Sequence, residues 1–285
     1  MKWLMFGLIT LTLLAAPGPS GARTWYVNEA GTGDAPTIPA AMDSAAYGDT
    51  VLVGPGTYYG WIDMTDGVTL MSELGPTETI LTHHLWEVVT FWQGASGSLE
   101  GFTITGVQWD GPECGAVLCS EAGDFLIAGN VVTGNLSCGI SCRDCYTGLG
   151  RILGNTVVDN GSRGIDIVFC MDHVQVYKNI SVGNACGICM HESLGAVECN
   201  DCWGNTGADY HGFDPAPSNF SADPFFCDRE VGDFTLNSCS PCLPGNHPLG
   251  YDCGLIGALG QGCDYPSQVE EEGGRSWGGI KALFR

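Results

Sequence analysis

One phrase recurs four times in the middle of the 285-residue chain: NVVTGN at residues 130–135, NTVVDN at 155–160, NISVGN at 179–184 and NDCWGN at 200–205. Asparagine stands at both ends of each copy, and the first asparagines follow one another at intervals of 25, 24 and 21 residues. Glycines at positions 115, 139, 164 and 187 recur at intervals of 24, 25 and 23 residues. Two markers that share one period indicate a structural repeat.

Each copy follows a short β-prone stretch, such as FLIAG before residue 130 or VQVYK before residue 179. Strands this short cannot bury an apolar face alone, so the repeats must stack on one another as a solenoid. Asparagine tolerates the left-handed backbone of a tight turn, and its amide can bond to the same residue one coil away. We therefore predict a hydrogen-bonded column through Asn130, Asn155, Asn179 and Asn200.

The two ends of the chain differ from the repeats. Residues 1–22 combine Lys2, an apolar run and a Ser-Gly-Ala cleavage site, which predicts a signal peptide and a secreted or cell-surface protein. The segment TIPAAMDS at 37–44 predicts a short helix with Thr37 as its N-cap. We assign residues 23–264 to one domain and residues 265–285 to an acidic linker and tail. For the tail, surface attachment and a frayed terminus stay open as alternatives.

The chain resembles the right-handed parallel β-helix proteins of the pectin lyase-like superfamily. The likeness rests on the opening TIPAAMDSAAYGDTVLVGPGTY, on the paired-asparagine coils, and on the closing phrases SADPFFCD and GDFTLNSCSPC. It implies an all-β fold, a right-handed parallel β-helix (solenoid) with a short N-terminal capping helix. The superfamily includes enzymes that act on polysaccharides as well as adhesins and binding proteins, so the resemblance predicts the fold more narrowly than the function.

The charge of the chain narrows the range of partners. Ten Lys and Arg stand against 32 Asp and Glu, which gives a net charge of −22. Nucleic acid is excluded as a partner, because phosphate binding needs many Lys and Arg side chains. The apolar run near the N-terminus is shorter than the about 20 residues that span a bilayer, so no membrane span is predicted. We expect a monomer whose partner is an extracellular polysaccharide or a cell-surface glycan.

Fifteen cysteines in an exported chain predict disulfides. Three pairs are separated by about one repeat: Cys114 and Cys138, Cys119 and Cys142, and Cys145 and Cys170. Because neighbouring coils lie about 4.8 Å apart, within the Cα separation that a disulfide accepts, we predict that these pairs clip adjacent coils. The C-terminal cysteines, from position 227 to 263, are expected to tie down the last coil. The rival hypothesis is zinc at the CxxC pairs 186/189 and 199/202.

Acidic residues that follow the marker glycines predict a candidate site. Glu121, Asp144, Asp172 and Glu192 lie 6, 5, 8 and 5 residues after those glycines, so we expect one carboxylate per coil along one edge. Such a row suits catalysis by paired carboxylates, Ca²⁺ binding by Asp144, Asp172 and Glu192, or simple solvation of strand ends. The candidate catalytic residues are Asp144, Asp172, Arg143, Arg163 and His173, and the candidate ligand-binding residues are Glu121, Glu192 and Trp109.

Two functional hypotheses follow. The first is an exported protein that binds extracellular carbohydrate without catalysis, and the alternative is a polysaccharide lyase or glycoside hydrolase acting through the acidic row on the solenoid face. The resemblance leads us to expect the compact acid, His and Arg motifs of pectin hydrolases, and the sequence lacks them. It also lacks nucleophile motifs and nucleotide fingerprints. Calcium is the one cofactor that the acidic row would take.

Overall fold

A computed structural model describes residues 21–109, 111 and 115–264. In these residues the chain forms 25 β-strands, one α-helix and one short 3-10 helix. From the N-terminus the first elements are β1 (Thr24–Val27), α1 (Ile38–Ser44), β2 (Thr50–Val53), β3 (Gly56–Tyr59), β4 (Ile62–Asp63), β5 (Val68–Ser72), β6 (Thr79–Thr82), β7 (Val89–Trp92), β8 (Gly97–Glu100), β9 (Thr103–Thr105), β10 (Gly115–Ser120), β11 (Phe125–Ala128) and β12 (Val131–Thr133).

The second half of the described chain continues the same pattern and then changes at residue 226. Its elements are β13 (Cys138–Arg143), β14 (Gly150–Leu153), β15 (Thr156–Val158), β16 (Arg163–Met171), β17 (Val174–Tyr177), β18 (Ile180–Val182), β19 (Cys186–Ser193), β20 (Val197–Glu198), β21 (Asp201–Trp203), β22 (Ala208–His211), β23 (Phe226–Asp228), the 3-10 helix (Arg229–Val231), β24 (Asp233–Asn237) and β25 (Gln261–Cys263). The predicted tail and residues 1–20 of the predicted signal peptide lie outside the described residues.

Three long sheets form the body of the molecule, and the strand pairings within them are parallel. Sheet 1 has the order β1-β2-β5-β8-β11-β14-β17-β20, sheet 2 the order β4-β7-β10-β13-β16-β19-β22, and sheet 3 the order β3-β6-β9-β12-β15-β18-β21. Successive strands along the chain therefore enter sheet 3, sheet 2 and sheet 1 in turn, and each coil stacks on the one before. The predicted all-β parallel β-helix with one short helix near its N-terminus is confirmed.

Aliphatic side chains in register fill the interior of the solenoid. In sheet 2, Ile140, Ile165 and Ile188 pair across three neighbouring strands, and all three are fully buried. Because side chains alternate between the two faces of a strand, the residues directly before and after each of these isoleucines point outward. Each buried isoleucine contributes about 1.5–3 kcal/mol relative to exposure, so the coils are held together mainly by this stacking.

The predicted asparagine column is present and is longer than the sequence suggested. The side-chain Nδ2 of Asn130 donates to Oδ1 of Asn155 at 3.1 Å, and the same contact joins Asn155 to Asn179 at 3.0 Å and Asn179 to Asn200 at 3.0 Å. Asn200 in turn donates to Asn219 at 2.9 Å. The second asparagines of the repeated phrase form a parallel column, at positions 135, 160, 184 and 205.

The backbone corrects one detail of the asparagine prediction. The left-handed conformation belongs to the residue before each asparagine, as at Gly129 (φ 63), Gly154 (φ 62) and Lys178 (φ 57). The asparagines are therefore needed for their amides, which satisfy buried backbone groups of adjacent coils.

Both ends of the solenoid are covered by additional chain. At the N-terminal end, Thr37 caps α1 by accepting a hydrogen bond from the Ala40 N–H at 3.3 Å, as predicted. At the other end, the segment after β22 folds back over the outer face of sheet 3, where Phe234, Leu236 and Ile256 belong to one apolar cluster with residues 131, 158 and 180. The disulfide 199–253 ties this segment to the last coils, and the disulfide 227–263 closes a loop within it. The expectation for the C-terminal cysteines is therefore met in part, because Cys239 and Cys242 are unbonded.

The structure shows no disulfide in the two predicted clips whose cysteines are both described. Cys119 and Cys142 are register partners, yet both are thiols, as are Cys145 and Cys170. In-register parallel side chains keep their Cβ atoms near the strand spacing of about 4.8 Å, whereas a disulfide needs about 3.5–4.5 Å. Burial raises the pKa of the Cys119 thiol and of the Cys142 thiol, which keeps both protonated.

The other cysteine hypotheses are also resolved where the residues are described. Cys138 is a buried thiol, and its predicted partner Cys114 lies outside the described residues. Cys186 is bonded to Cys189, and Cys199 is bonded to Cys253, so zinc at these two CxxC pairs is excluded. Through the described part of the chain, no helix has the length and apolar character needed to cross a membrane.

Candidate functional site

A buried carboxylate on the outer side of sheet 2 gathers two arginines. Asp166, in β16, is fully buried. Nη1 of Arg163 donates to both of its carboxylate oxygens, at 3.1 and 3.0 Å, and Nη2 of Arg143 donates to Oδ2 at 3.3 Å. Nε of Arg143 also donates to the Ser141 hydroxyl at 3.2 Å. We call Arg143, Arg163, Asp166 and His191 the charged cluster.

The register of sheet 2 explains how these residues meet. Ser141 in β13 pairs with Asp166 in β16, and Arg143 pairs with Val168, which pairs in turn with His191 in β19. The outward position of one strand therefore lies beside the outward positions of the coils before and after it. A carboxylate buried without a partner would be strongly destabilising, and the two guanidinium groups supply the hydrogen bonds that make the burial possible.

A histidine pair borders the buried carboxylate. Nε2 of His191 lies 3.9 Å from Oδ1 of Asp166, too far for a hydrogen bond, and this buried nitrogen has no hydrogen-bond partner. The imidazole of His211, in the next strand β22, lies 5.7 Å from that of His191 between ring centroids. A small movement of the His191 ring would bring its nitrogen to the carboxylate or to a bound ligand.

The charge of the cluster differs in sign from that of the whole chain. One carboxylate faces two guanidinium groups, which leaves a local charge of +1 with neutral histidines, in a chain whose net charge is −22. The Arg163 side chain is 37% exposed and the Arg143 side chain 17%. A planar guanidinium suits bidentate recognition of carboxylate or sulfate groups. The cluster can therefore hold an anionic group while Asp166 fixes the arginines in position.

The predicted acidic row is only partly assembled. Glu121, Asp144 and Glu192 occupy equivalent register positions near the ends of strands of sheet 2, each with a left-handed backbone (φ 51, 52 and 47). Phe169 (φ 54) occupies the equivalent position in the coil between Asp144 and Glu192. Asp172 lies beyond a register shift in β16, and its side chain is 81% exposed. The row is thus interrupted, because β16 carries extra residues after Val168.

The register shift in β16 also affects the residues predicted for calcium binding and for proton transfer. Among the residues that the structure describes, no group of three or more His, Cys, Asp or Glu side chains is arranged to hold a metal ion. Asp144, Asp172 and Glu192, the residues predicted for calcium, are not brought together in such a group. Nδ1 of His173 contacts the Gly148 carbonyl oxygen at 2.8 Å, and Nε2 lies 3.8 Å from Asp172, so His173 does not face the charged cluster.

Four exposed tryptophans lie along the N-terminal coils beside the same sheet: Trp61, Trp86, Trp92 and Trp109. We call them the aromatic patch. Trp61 directly precedes β4, Trp86 lies in the loop before β7, Trp92 ends β7, and Trp109 lies in the connection between β9 and β10. The rings of Trp86 and Trp109 are 5.3 Å apart between centroids. The predicted ligand-binding residue Trp109 thus contacts another tryptophan of the N-terminal coils, Trp86.

Sequence reasoning identified both arginines but missed the acid that organises them. Asp166 and His191 lie two and four residues after the marker glycines Gly164 and Gly187, at the offsets where Ser141 and Arg143 follow Gly139. These fixed offsets were a usable signal. The acids at the strand ends drew attention instead, because an acid inside an apolar strand such as RGIDIVF is easily taken for an interruption.

Comparison with known proteins supports the fold. A family model described as "Right handed beta helix region" matches residues 92–203, which include the charged cluster. Among solved structures, pectate lyase Pel9A is 12% identical, with a TM-score of 0.48, over 85% of this chain and 97% of the other. The pectin methylesterase from Aspergillus niger is 14% identical, with a TM-score of 0.37, over 72% and 87% of the two chains.

A third similar structure is the A-module of the mannuronan C-5 epimerase AlgE4 from Azotobacter vinelandii. It is 14% identical, with a TM-score of 0.32, over 61% of this chain and 68% of the other. No curated protein sequence matches the chain. The three parallel sheets form a right-handed parallel β-helix, and the family model matches its central coils, at residues 92–203.

Proposed function

We propose that the chain binds an acidic polysaccharide outside the cell, along the outer face of sheet 2. The observation that carries the proposal is the buried Asp166 carboxylate, which holds Arg143 and Arg163 side by side at the surface. Asp166 satisfies part of each guanidinium and fixes its orientation, so little side-chain entropy is lost when a sugar carboxylate or sulfate binds. A chain of sugars lying along the solenoid axis would pass successive strands of sheet 2, about 4.8 Å apart.

The cysteine chemistry supports an extracellular location. Three disulfides are present in the described residues, at 186–189, 199–253 and 227–263, and disulfides persist in oxidising compartments outside the cytoplasm. The predicted signal peptide at residues 1–22 would deliver the chain there. In this proposal the protein is a monomeric binding protein of the extracellular space or the cell surface.

Binding of a hexamer of a uronic acid, measured by calorimetry, tests the proposal. Arg163→Gln removes one exposed guanidinium and is expected to weaken binding about 10- to 100-fold, which corresponds to the loss of a charge-assisted hydrogen bond. Arg151→Gln is the matched control, because Arg151 is an exposed arginine on the outer face of sheet 1. Equal affinities of the two variants would contradict the proposal.

Catalysis on such a glycan is the second candidate function, and one observation favours it. Nε2 of His191 is buried beside the Asp166 carboxylate without a hydrogen-bond partner, and a rotation of the 35% exposed ring would bring it to a bound sugar for proton exchange. In this lyase or hydrolase alternative, His191→Ala abolishes product formation while binding persists. Asp144→Ala and Asp172→Ala, in the interrupted acidic row, leave the activity unchanged. Assays for unsaturated products and for new reducing ends distinguish the two functions, since a binding protein forms neither.

A further inference from the structure

We infer that the aromatic patch is a stacking subsite for uncharged sugar rings, so that the ligand carries neutral sugars over the N-terminal coils and an acidic sugar at the charged cluster. This inference rests on the proposed glycan-binding function and assigns a composition and a direction to the ligand. Four observations support the inference: the exposure of the tryptophans, the contacts that hold some of them in place, the local charge, and the strand register that joins Trp92 to Arg143.

The exposure of the tryptophans calls for a ligand. Trp61, Trp86, Trp92 and Trp109 leave 51%, 52%, 48% and 47% of their surface in solvent. Trp86 and Trp109 contact each other, and exposed apolar side chains that lie together mark a binding site more often than isolated ones do. Tryptophan also offers a flat apolar face together with an N–H donor, and this combination suits the C–H face and hydroxyl rim of a pyranose ring.

Hydrogen bonds and ring contacts hold parts of the patch in place. Nε1 of Trp61 donates to the Thr90 hydroxyl at 3.0 Å, and that hydroxyl donates to Oδ1 of Asp63 at 3.0 Å. Trp86 and Trp109 contact each other at an interplanar angle of 49°. Rings fixed before binding lose little entropy when a ligand arrives, which favours affinity.

The local charge selects uncharged sugars. The sequence contains no Lys or Arg between Arg23 and Arg143, whereas Asp63 and Glu87 lie beside the tryptophans in the chain. An anionic sugar over this part of the face would meet carboxylates without a compensating cation, so its binding is disfavoured. A neutral ring has no such penalty. Charge therefore divides the face of sheet 2 into an acidic half, which favours neutral sugars, and a cationic half at the charged cluster.

Strand register joins the two halves into one surface. Trp92 pairs with Ser120 in β10, and Ser120 pairs with Arg143 in β13. Trp92 and Arg143 thus lie two coils apart, or about 10 Å along the solenoid axis. One oligosaccharide of a few units can reach both residues. Its neutral end then lies toward β4 and its acidic end toward β19.

The test compares two probes on the full chain by calorimetry: a hexamer of a uronic acid, and an oligosaccharide of neutral sugars that carries one uronic acid at its end. We expect the mixed probe to bind the wild type about tenfold more tightly than the hexauronide, because ring stacking adds to the ionic contact. The double variant Trp86→Ala/Trp92→Ala removes this advantage and leaves hexauronide binding unchanged. Leu249→Ala, an exposed apolar residue of the C-terminal segment at 61% exposure, is the control and changes neither affinity.

Different outcomes separate this inference from the proposed function. If the double variant binds the mixed probe as tightly as the wild type does, the stacking subsite is refuted while acidic binding stands. If Arg163→Gln leaves both affinities intact, the proposed function is refuted first. If light scattering shows that the wild type self-associates and the double variant does not, the patch is an interface between copies of the chain and the inference is also refuted. Circular dichroism confirms that each variant is folded.

Discussion

Truncating one asparagine of the column at Asn155 should destabilise the solenoid by several kilocalories per mole. Nδ2 of Asn155 donates to the Ile127 carbonyl at 2.9 Å and to Oδ1 of Asn179 at 3.0 Å. Its Oδ1 accepts from the backbone N–H of Asn130 at 3.0 Å and from the Asn130 side chain at 3.1 Å. Asn155→Ala leaves at least the backbone N–H of Asn130 buried without its acceptor.

Each unsatisfied buried group costs about 1–3 kcal/mol, so the four lost bonds are expected to lower the free energy of unfolding by about 3–5 kcal/mol. Urea unfolding followed by circular dichroism measures this quantity. Asn246→Ala is the matched control, because Asn246 is exposed and makes one good bond, to the Ser240 carbonyl at 3.0 Å, with a longer one at 3.4 Å. The control should cost no more than about 0.5 kcal/mol. Equal losses for the two variants would refute the claim that the column supports the fold.

Three further predictions concern a buried acid, an exposed thiol and two asparagines of the columns. Burial raises the pKa of Asp201 from 3.8 to about 7, so its folded form keeps a proton that the unfolded form loses. Its contribution to stability is therefore full below pH 4 and falls by about 4 kcal/mol as the pH rises to 7; Asp201→Asn should remove this decline, seen as a Tm difference from wild type that grows with pH. A thiol reagent added to the native protein should react first with Cys239, the exposed thiol among the described residues, and Cys239→Ser should abolish that fast phase. The sequons at Asn135 and Asn179 have buried amides, so in a glycosylating host the folded protein should carry no glycan there by mass spectrometry, and an occupied site in folded material would contradict the column.

The repeat period and the asparagine columns could be predicted because few other residue types can replace asparagine at these bends. An amide that closes a bend recurs once per coil, and only stacking can satisfy such short strands. The continuation of the column to Asn219 was missed because its interval from Asn200 is 19 residues, shorter than the 21 to 25 of the repeats. The shortening arises where the last coil passes into the C-terminal segment.

The acidic row shows why a site is harder to predict than a period. Gly115 pairs with Cys138 and not with Gly139, so the marker glycine of that coil is displaced by one position. With this correction Glu121 and Asp144 share one offset, and Phe169 is found where the sequence suggested an acid. A shift of one residue reverses the face on which a side chain lies, and only the hydrogen-bonded register reveals it.

A crystal structure of the chain with the oligosaccharide that binds most tightly would test the central claim most directly. The account predicts that the sugar chain lies along the outer face of sheet 2, with an acidic group on Arg163 and a neutral ring on Trp92. Electron density for the sugar on sheet 1 or on the C-terminal segment, with the charged cluster left uncovered, would contradict it.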